Sequence, residues 1–151
     1  MNAEEKLASL NIVLLDPVPP IAQYVPIKQV GNLLFVSGQA AIQQGKLMYK
    51  GRLGENVSIE EGYQAARIAG INILSILKYY LGSLNKIKSV VKINGYVACT
   101  DHFSDQPQVI NGVSDLMTEV FEDKGRHARS AIGQNALPLG TPVEVEGIFE
   151  I

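Results

Sequence analysis

The alternation of apolar and polar positions divides the chain into recognisable elements. Ala3 to Leu10 reads as a short helix. Asn2 can cap it, and Glu5 stands three residues on, as in a capping box. Asp16-Pro17-Val18-Pro19-Pro20 cannot be regular structure, and Pro26 prolongs the irregular stretch. Leu33-Leu34-Phe35-Val36-Ser37 is a compact β-favouring run, predicted as a buried strand ending at Gly38. Lys46 to Tyr49 predicts a short strand or hairpin arm, and Gly51 to Val57 a loop. The clearest element opens at Ser58, where Ser58-Ile59-Glu60-Glu61 is a capping box. Apolar residues then recur at Tyr63, Ala66, Gly70, Ile73, Leu74, Leu77 and Leu81, which is helical spacing, and Gly82 is the natural stop. Ala65, Ala66, Ala69 and Gly70 are small enough to let this helix lie close against a sheet.

Lys88 to Cys99 is predicted as a strand, with Val91, Ile93, Val97 and Cys99 on one face. Val90, Lys92, Asn94 and Tyr96 would share the other, and Asn94-Gly95 suggests a kink. Asp105 can cap a second helix, with Pro107 in its first turn. Val109, Val113, Leu116 and Val120 form its apolar stripe, and Gly125 ends it. Ala128 to Ile132 reads as a short strand, Leu137 to Gly140 as a turn, and Val143 to Ile151 as the last strand. Strands, long helix, strand, helix, strands: this order implies an α+β sandwich with a mixed sheet and two helices packed on one face. The other face would stay uncovered and partly apolar, which predicts self-association.

Composition narrows the chemistry. The 151 residues make a single domain, 1–151, in which 1–22 is an N-terminal extension with the proline-rich loop. Hydrophobic residues at 46% and charged residues at 19% are a globular balance. The net charge of −2 gives no general attraction to nucleic acid. One cysteine excludes an intrachain disulfide, and two histidines are a poor set for zinc, so no metal is expected. The first ten residues lack the basic start and apolar run of a secretory signal, and no apolar stretch is long enough to cross a bilayer. A cytoplasmic location is expected, consistent with the lone Cys99. Without an export signal, the sequon Asn56-Val57-Ser58 carries no weight.

Phosphate-binding and nucleophile-elbow motifs are absent from the sequence. His102 and His127 read as ordinary surface histidines, and Cys99 as a core residue. Arg129 is more informative, because it stands inside a predicted strand among small residues. It must pair with Glu144 or Glu146, reach outward to solvent, or bind an anion. Glu144 and Glu146 share one side of the last strand, either as a solvated face or as carboxylates able to orient water. Ser37-Gly38-Gln39 closes a buried strand, and Tyr24 follows the proline-rich loop.

Tyr24-Val25 followed by Gly31-Asn32-Leu33-Leu34-Phe35-Val36-Ser37-Gly38-Gln39 resembles the N-terminal signature of the RidA family (also called YjgF/YER057c/UK114). Ala128-Arg129-Ser130, Leu137-Pro138 and Val143-Glu144-Val145-Glu146 resemble its C-terminal signature. The match runs from about Tyr24 to the C-terminus. The resemblance implies a chorismate-mutase-like sandwich assembled as a homotrimer, with sites at the subunit interfaces. It implies hydrolysis of reactive enamines and 2-imino acids of the 2-aminoacrylate type to 2-keto acids and ammonia, with no cofactor. It places Arg129 at the substrate carboxylate, Glu144 at the attacking water and Tyr24 in the cleft wall. Ser37, Gly38 and Asn111 would be close to substrate, and Ala131 would offer its backbone. Ala131 stands where short members commonly have cysteine, and the chain is longer between Met48 and Val57, as in a divergent long-form member. Two other functions fit the same residues: a regulatory or small-carboxylate-binding trimer without turnover, and the endoribonuclease or translation inhibitor for which relatives are named. The weak net charge disfavours the last.

Overall fold

A computed structural model describes residues 1–20 and 22–151; Ile21, within the leading extension, lies outside the described residues. The elements are α1 (Ala3–Ser9), β1 (Ile27–Val30), β2 (Leu33–Ala40), β3 (Ile42–Gln43), β4 (Lys46–Leu47) and α2 (Ile59–Leu81). They continue as β5 (Ser89–Ala98), α3 (Gln106–Phe121), β6 (Ala128–Gln134) and β7 (Val143–Glu150). Five strands form one mixed sheet in the order β1-β2-β7-β5-β6, and β3 and β4 make a separate hairpin. β5 and β6 run parallel, joined through α3, while the other neighbours are antiparallel. α2 packs on β2 and β7, and α3 on β5 and β6, so both long helices cover the same face. This is the sandwich expected from the sequence, and the short helix read from Ala3 to Leu10 is present as α1.

Local chemistry explains the helix ends. Both capping boxes form: Asn2 and Ser58 accept from the N–H of Glu5 and Glu61, whose carboxylates accept in return from the cap N–H groups. Gly82 ends α2 with φ of 80°, a left-handed conformation that suits glycine. Asp105 occupies the cap position of α3 but does not cap it. Its backbone is not extended, and its carboxylate accepts from the Gln108 side chain instead.

The core lies between the helix layer and the sheet. From β7 it takes Val143, Val145 and Phe149, from α2 Ile73, Leu74 and Leu77, and from α3 Val113, Leu116 and Met117. α2 and α3 cross closely because Gly112 has no side chain; a Cβ there would collide with the backbone carbonyl of Tyr63. The polar rims are joined across the same crossing, where Arg67 pairs with Glu119 at 2.6 Å and Tyr63 donates to Asp115 at 2.7 Å. The Tyr63 hydroxyl is pushed up to about 12 by burial and by this bond to Asp115. α1 is fastened through Glu4, which accepts from Lys78 Nζ and from the Leu84 N–H. Burial works against its charge, but those two donors prevail and hold its carboxyl below the usual range.

Two strands depart from the expected regularity. β2 does not stop at Gly38. It runs to Ala40 with an extra residue between Val36 and Gln39. In β5 the irregularity lies not at Asn94-Gly95 but between Val90, which faces Phe149, and Lys92, which faces Ile148. Val91 is thus the additional residue of a bulge. The expected face of Val91 is corrected accordingly: Val90 is buried in the core and Val91 is exposed. Gly95 lies in regular pairing, buried beneath Ile110.

Gly112→Ala tests the close helix crossing. The obstacle is backbone, which cannot move aside, so overpacking should destabilise the protein by about 2 kcal/mol or more in urea unfolding.

Candidate functional site

The structure sorts the residues singled out from the sequence into two groups on opposite faces of the sheet. The first group gathers on the uncovered face, around the β2 bulge. Glu144 on β7 stands opposite Ala40 on one side and Tyr96 on the other. Its carboxylate leans over Gly38, where a Cβ would stand 2.6 Å from Oε1. Ser37 donates from Oγ to the Val25 carbonyl at 2.7 Å, and its N–H donates to Pro26. These two bonds tie the bulge to the segment carrying Tyr24, which is exposed. Burial, followed by the charge of Glu146, raises the Glu144 carboxyl above the ordinary carboxylate value. A carboxylate with its pKa raised in this way suits proton transfer better than an ordinary one.

Glu146 is occupied differently. It accepts from the Tyr96 hydroxyl at 2.6 Å and from Asn94 Nδ2 at 3.4 Å. This bond, together with burial and the acidic charge, pushes the Tyr96 hydroxyl up to about 12. An open cleft of about 320 Å³ adjoins these residues, bounded by Val25, Phe35, Ser37, Asn94, Glu146 and Ile148. Exposed Phe35 and Ile132 add apolar surface to this face.

The second group lies under α3. Arg129 stands opposite Ile93, a core residue, so its side chain emerges on the helix-covered face. Its Nη1 donates to Asn111 Oδ1 at 2.8 Å and to Ser114 Oγ at 3.2 Å. Among the described residues no carboxylate forms an ion pair with it. Pairing with Glu144 or Glu146, one of the alternatives open from the sequence, does not occur. Ala131, two residues further along β6, packs partly buried against the core, opposite Gly95.

Of two further neighbours of Arg129, Ser114 is not singled out by the sequence reading and His127 is read there only as a surface histidine. Ser114 lies one helical turn after Asn111, on the same side of α3. His127 is not an ordinary surface histidine: it is part-buried, with Nε2 2.9 Å from Ser114 Oγ and Nδ1 2.6 Å from the Gly125 carbonyl oxygen. The i,i+2 spacing of His127 and Arg129 around the start of β6 was the available signal. Cys99 is buried as expected, and Gln106 Nε2 points at its sulfur. Among the described residues no group of three or more His, Cys, Asp or Glu side chains is arranged to hold a metal. Nor, among them, is any helix long and apolar enough to cross a membrane.

A family model described as "YjgF/chorismate mutase-like, putative endoribonuclease" matches residues 4–149. The chain belongs to the YjgF/RidA family. Protein TCP17 of Trypanosoma cruzi is 38% identical over 146 residues, covering 96% of this chain and 91% of that protein. A 2-iminobutanoate/2-iminopropanoate deaminase of Dermatophagoides farinae is 30% identical over 137 residues, covering 87% and 88%. A crystal structure from Shewanella oneidensis MR-1, which carries an endoribonuclease name, superposes with a TM-score of 0.96 at 32% identity and full coverage of both chains. The YjgF/RidA fold is thus present over the whole chain, α1 included.

Gly38→Ala probes the seat of Glu144. The atom it meets is the end of a flexible side chain, so stability should change by less than about 1 kcal/mol. The displaced carboxylate should instead titrate closer to its ordinary value, as read from its side-chain carbon shift by NMR.

Proposed function

We propose that this YjgF/RidA protein hydrolyses reactive 2-imino acids and their enamine tautomers to 2-keto acids and ammonia. The observation that carries this reading is the half-buried side chain of Arg129, oriented by neutral partners and, among the described residues, paired with no carboxylate. Such a group is prepared for an anion, and its planar fork matches the carboxylate of an imino acid. The deaminase relative from Dermatophagoides farinae supports the same chemistry. Glu144 takes a proton from water as the oxygen adds to the imine carbon. Glu144 returns that proton to the nitrogen of the resulting carbinolamine; the C–N bond breaks as the hydroxyl loses its own proton, ammonia leaves, and the keto acid remains.

One chain cannot bring these two groups to one small molecule. Arg129 and Glu144 emerge on opposite faces, on strands separated by β5. That separation alone is about 10 Å across the sheet. The working site therefore joins Arg129, Asn111 and the Ala131 backbone of one copy to Tyr24, Ser37, Gly38 and Glu144 of another. The uncovered face with Phe35 and Ile132 supports association of copies, and a ring closed by a three-fold axis uses one such junction per copy. The net charge of −2 gives the chain no general attraction to RNA, which disfavours RNA as the substrate.

Imine generated in situ by an amino-acid oxidase or dehydratase provides the assay. Arg129→Ala should lower kcat/KM by about a hundredfold, the scale of lost charge-assisted hydrogen bonds. Glu144→Gln should lower kcat by about a hundredfold or more while sparing binding of a keto acid. Wild-type turnover in Glu144→Gln would favour another base, and carboxylate binding without any turnover in the wild type would favour a binding protein. Co-expression of the two variants tests the shared site: random assembly should recover about one quarter of wild-type activity, whereas sites confined to one chain would recover none.

A further inference from the structure

Behind Arg129 lies a chain of hydrogen bonds whose direction can be worked out from its far end. The Gly125 carbonyl oxygen can only accept, so the 2.6 Å contact requires the hydrogen to sit on His127 Nδ1. In a neutral imidazole Nε2 then carries only a lone pair, and the Ser114 hydroxyl 2.9 Å away must donate to it. With its hydrogen committed, Ser114 Oγ presents its own lone pair to Arg129 Nη1 at 3.2 Å. Burial, helped by the positive charge of Arg129 and opposed by the bond to Gly125, lowers the His127 pKa and so favours the neutral ring. The carboxylates of α3 on its other side, Asp115 and Glu119, are engaged by Tyr63 and Arg67 of α2. Arg129 is therefore the charged group that acts on the ring.

We propose that Ser114 and His127 are positioning residues: a neutral Gly125–His127–Ser114 relay supplies the second acceptor that, with Asn111, fixes the Arg129 fork toward a carboxylate ligand. This rests on the reading of Arg129 as the carboxylate anchor. Asn111 alone leaves the guanidinium free to rotate about one hydrogen bond. Two acceptors on Nη1 set the plane of the fork, and ordering it in advance removes a cost that binding would otherwise bear. Only neutral groups do this, so the full positive charge of Arg129 remains for the ligand. A carboxylate in the place of Ser114 would order the arginine equally well but would neutralise it.

The test uses 2-oxobutanoate as the probe, with its dissociation constant measured by calorimetry at pH 7.5. Ser114→Ala and His127→Phe should each weaken binding roughly five- to tenfold, the scale of one hydrogen bond to a charged group. The double variant should be no weaker than the worse single one, because either change breaks the same relay. His127→Gln, which returns an acceptor to Ser114, should restore most of the affinity. In the unaltered protein the imidazole nitrogen shifts should show hydrogen on Nδ1 and a bare Nε2. The opposite tautomer, additive losses, or wild-type affinity in Ser114→Ala would overturn the relay. Arg129→Ala separates the two levels. If it abolishes binding while the relay variants bind normally, the relay alone fails; if it binds normally, the anchor and the relay fail together.

Discussion

Successive side chains of a β-strand project to opposite faces of the sheet, and the distribution of charge in this protein depends on that alternation. α2 and α3 seal one face, made possible by glycine and alanine at their crossing. Whatever reaches that side must enter the core or stop at its rim beside α3. Arg129 does the second, on the outermost strand, where a charged head can meet polar groups of the helix without being engulfed. The register of β5 against β7 sends Glu144 and Glu146 the other way, onto the face that no helix covers. A cation and an acidic pair thereby coexist in a small domain without cancelling each other. Closer together in one chain, they would form an internal ion pair and offer nothing to a ligand.

Much of this architecture is written in local pattern. The two capping boxes, the stop at Gly82 and the buried alternation along β7 depend on neighbours within a few residues, so a linear sequence displays them. The faces of Arg129 and Glu144 are less legible, because each depends on which strand pairs with which, and in what register. Sequence spacing left an Arg129–Glu144 pair open; the registers of β6 and of β7 on β5 together exclude it. The surroundings of His127 were missed for a related reason. Its partners come from α3 and from the turn before it, and the i,i+2 spacing with Arg129 hints at a shared side without showing that enclosure. Asp105 shows the converse: the right residue in the right place can fail to cap when its own backbone is not extended.

Matching motifs identify which positions to inspect. Geometry then shows that Glu144 owes its raised carboxyl to burial against a glycine-lined bulge, and that Arg129 is held by neutral groups. Ala131 packs against the core, and its backbone remains in the β6 ladder beside that arrangement.

The bulge at Val91 has a further consequence, for how the chain tolerates changes in length. In an unbroken strand, gaining or losing one residue turns every later side chain over, so only even changes preserve the pattern. An unpaired residue removes that parity rule. It lets the segment before Val90 be read in one phase and the segment from Lys92 onward in the other. Asn94 and Tyr96 keep their place beside Glu146 because the odd residue is absorbed before them. Evolution can therefore lengthen or shorten the approach to this strand by single residues and let the bulge form or vanish, while the polar face downstream stays as it is.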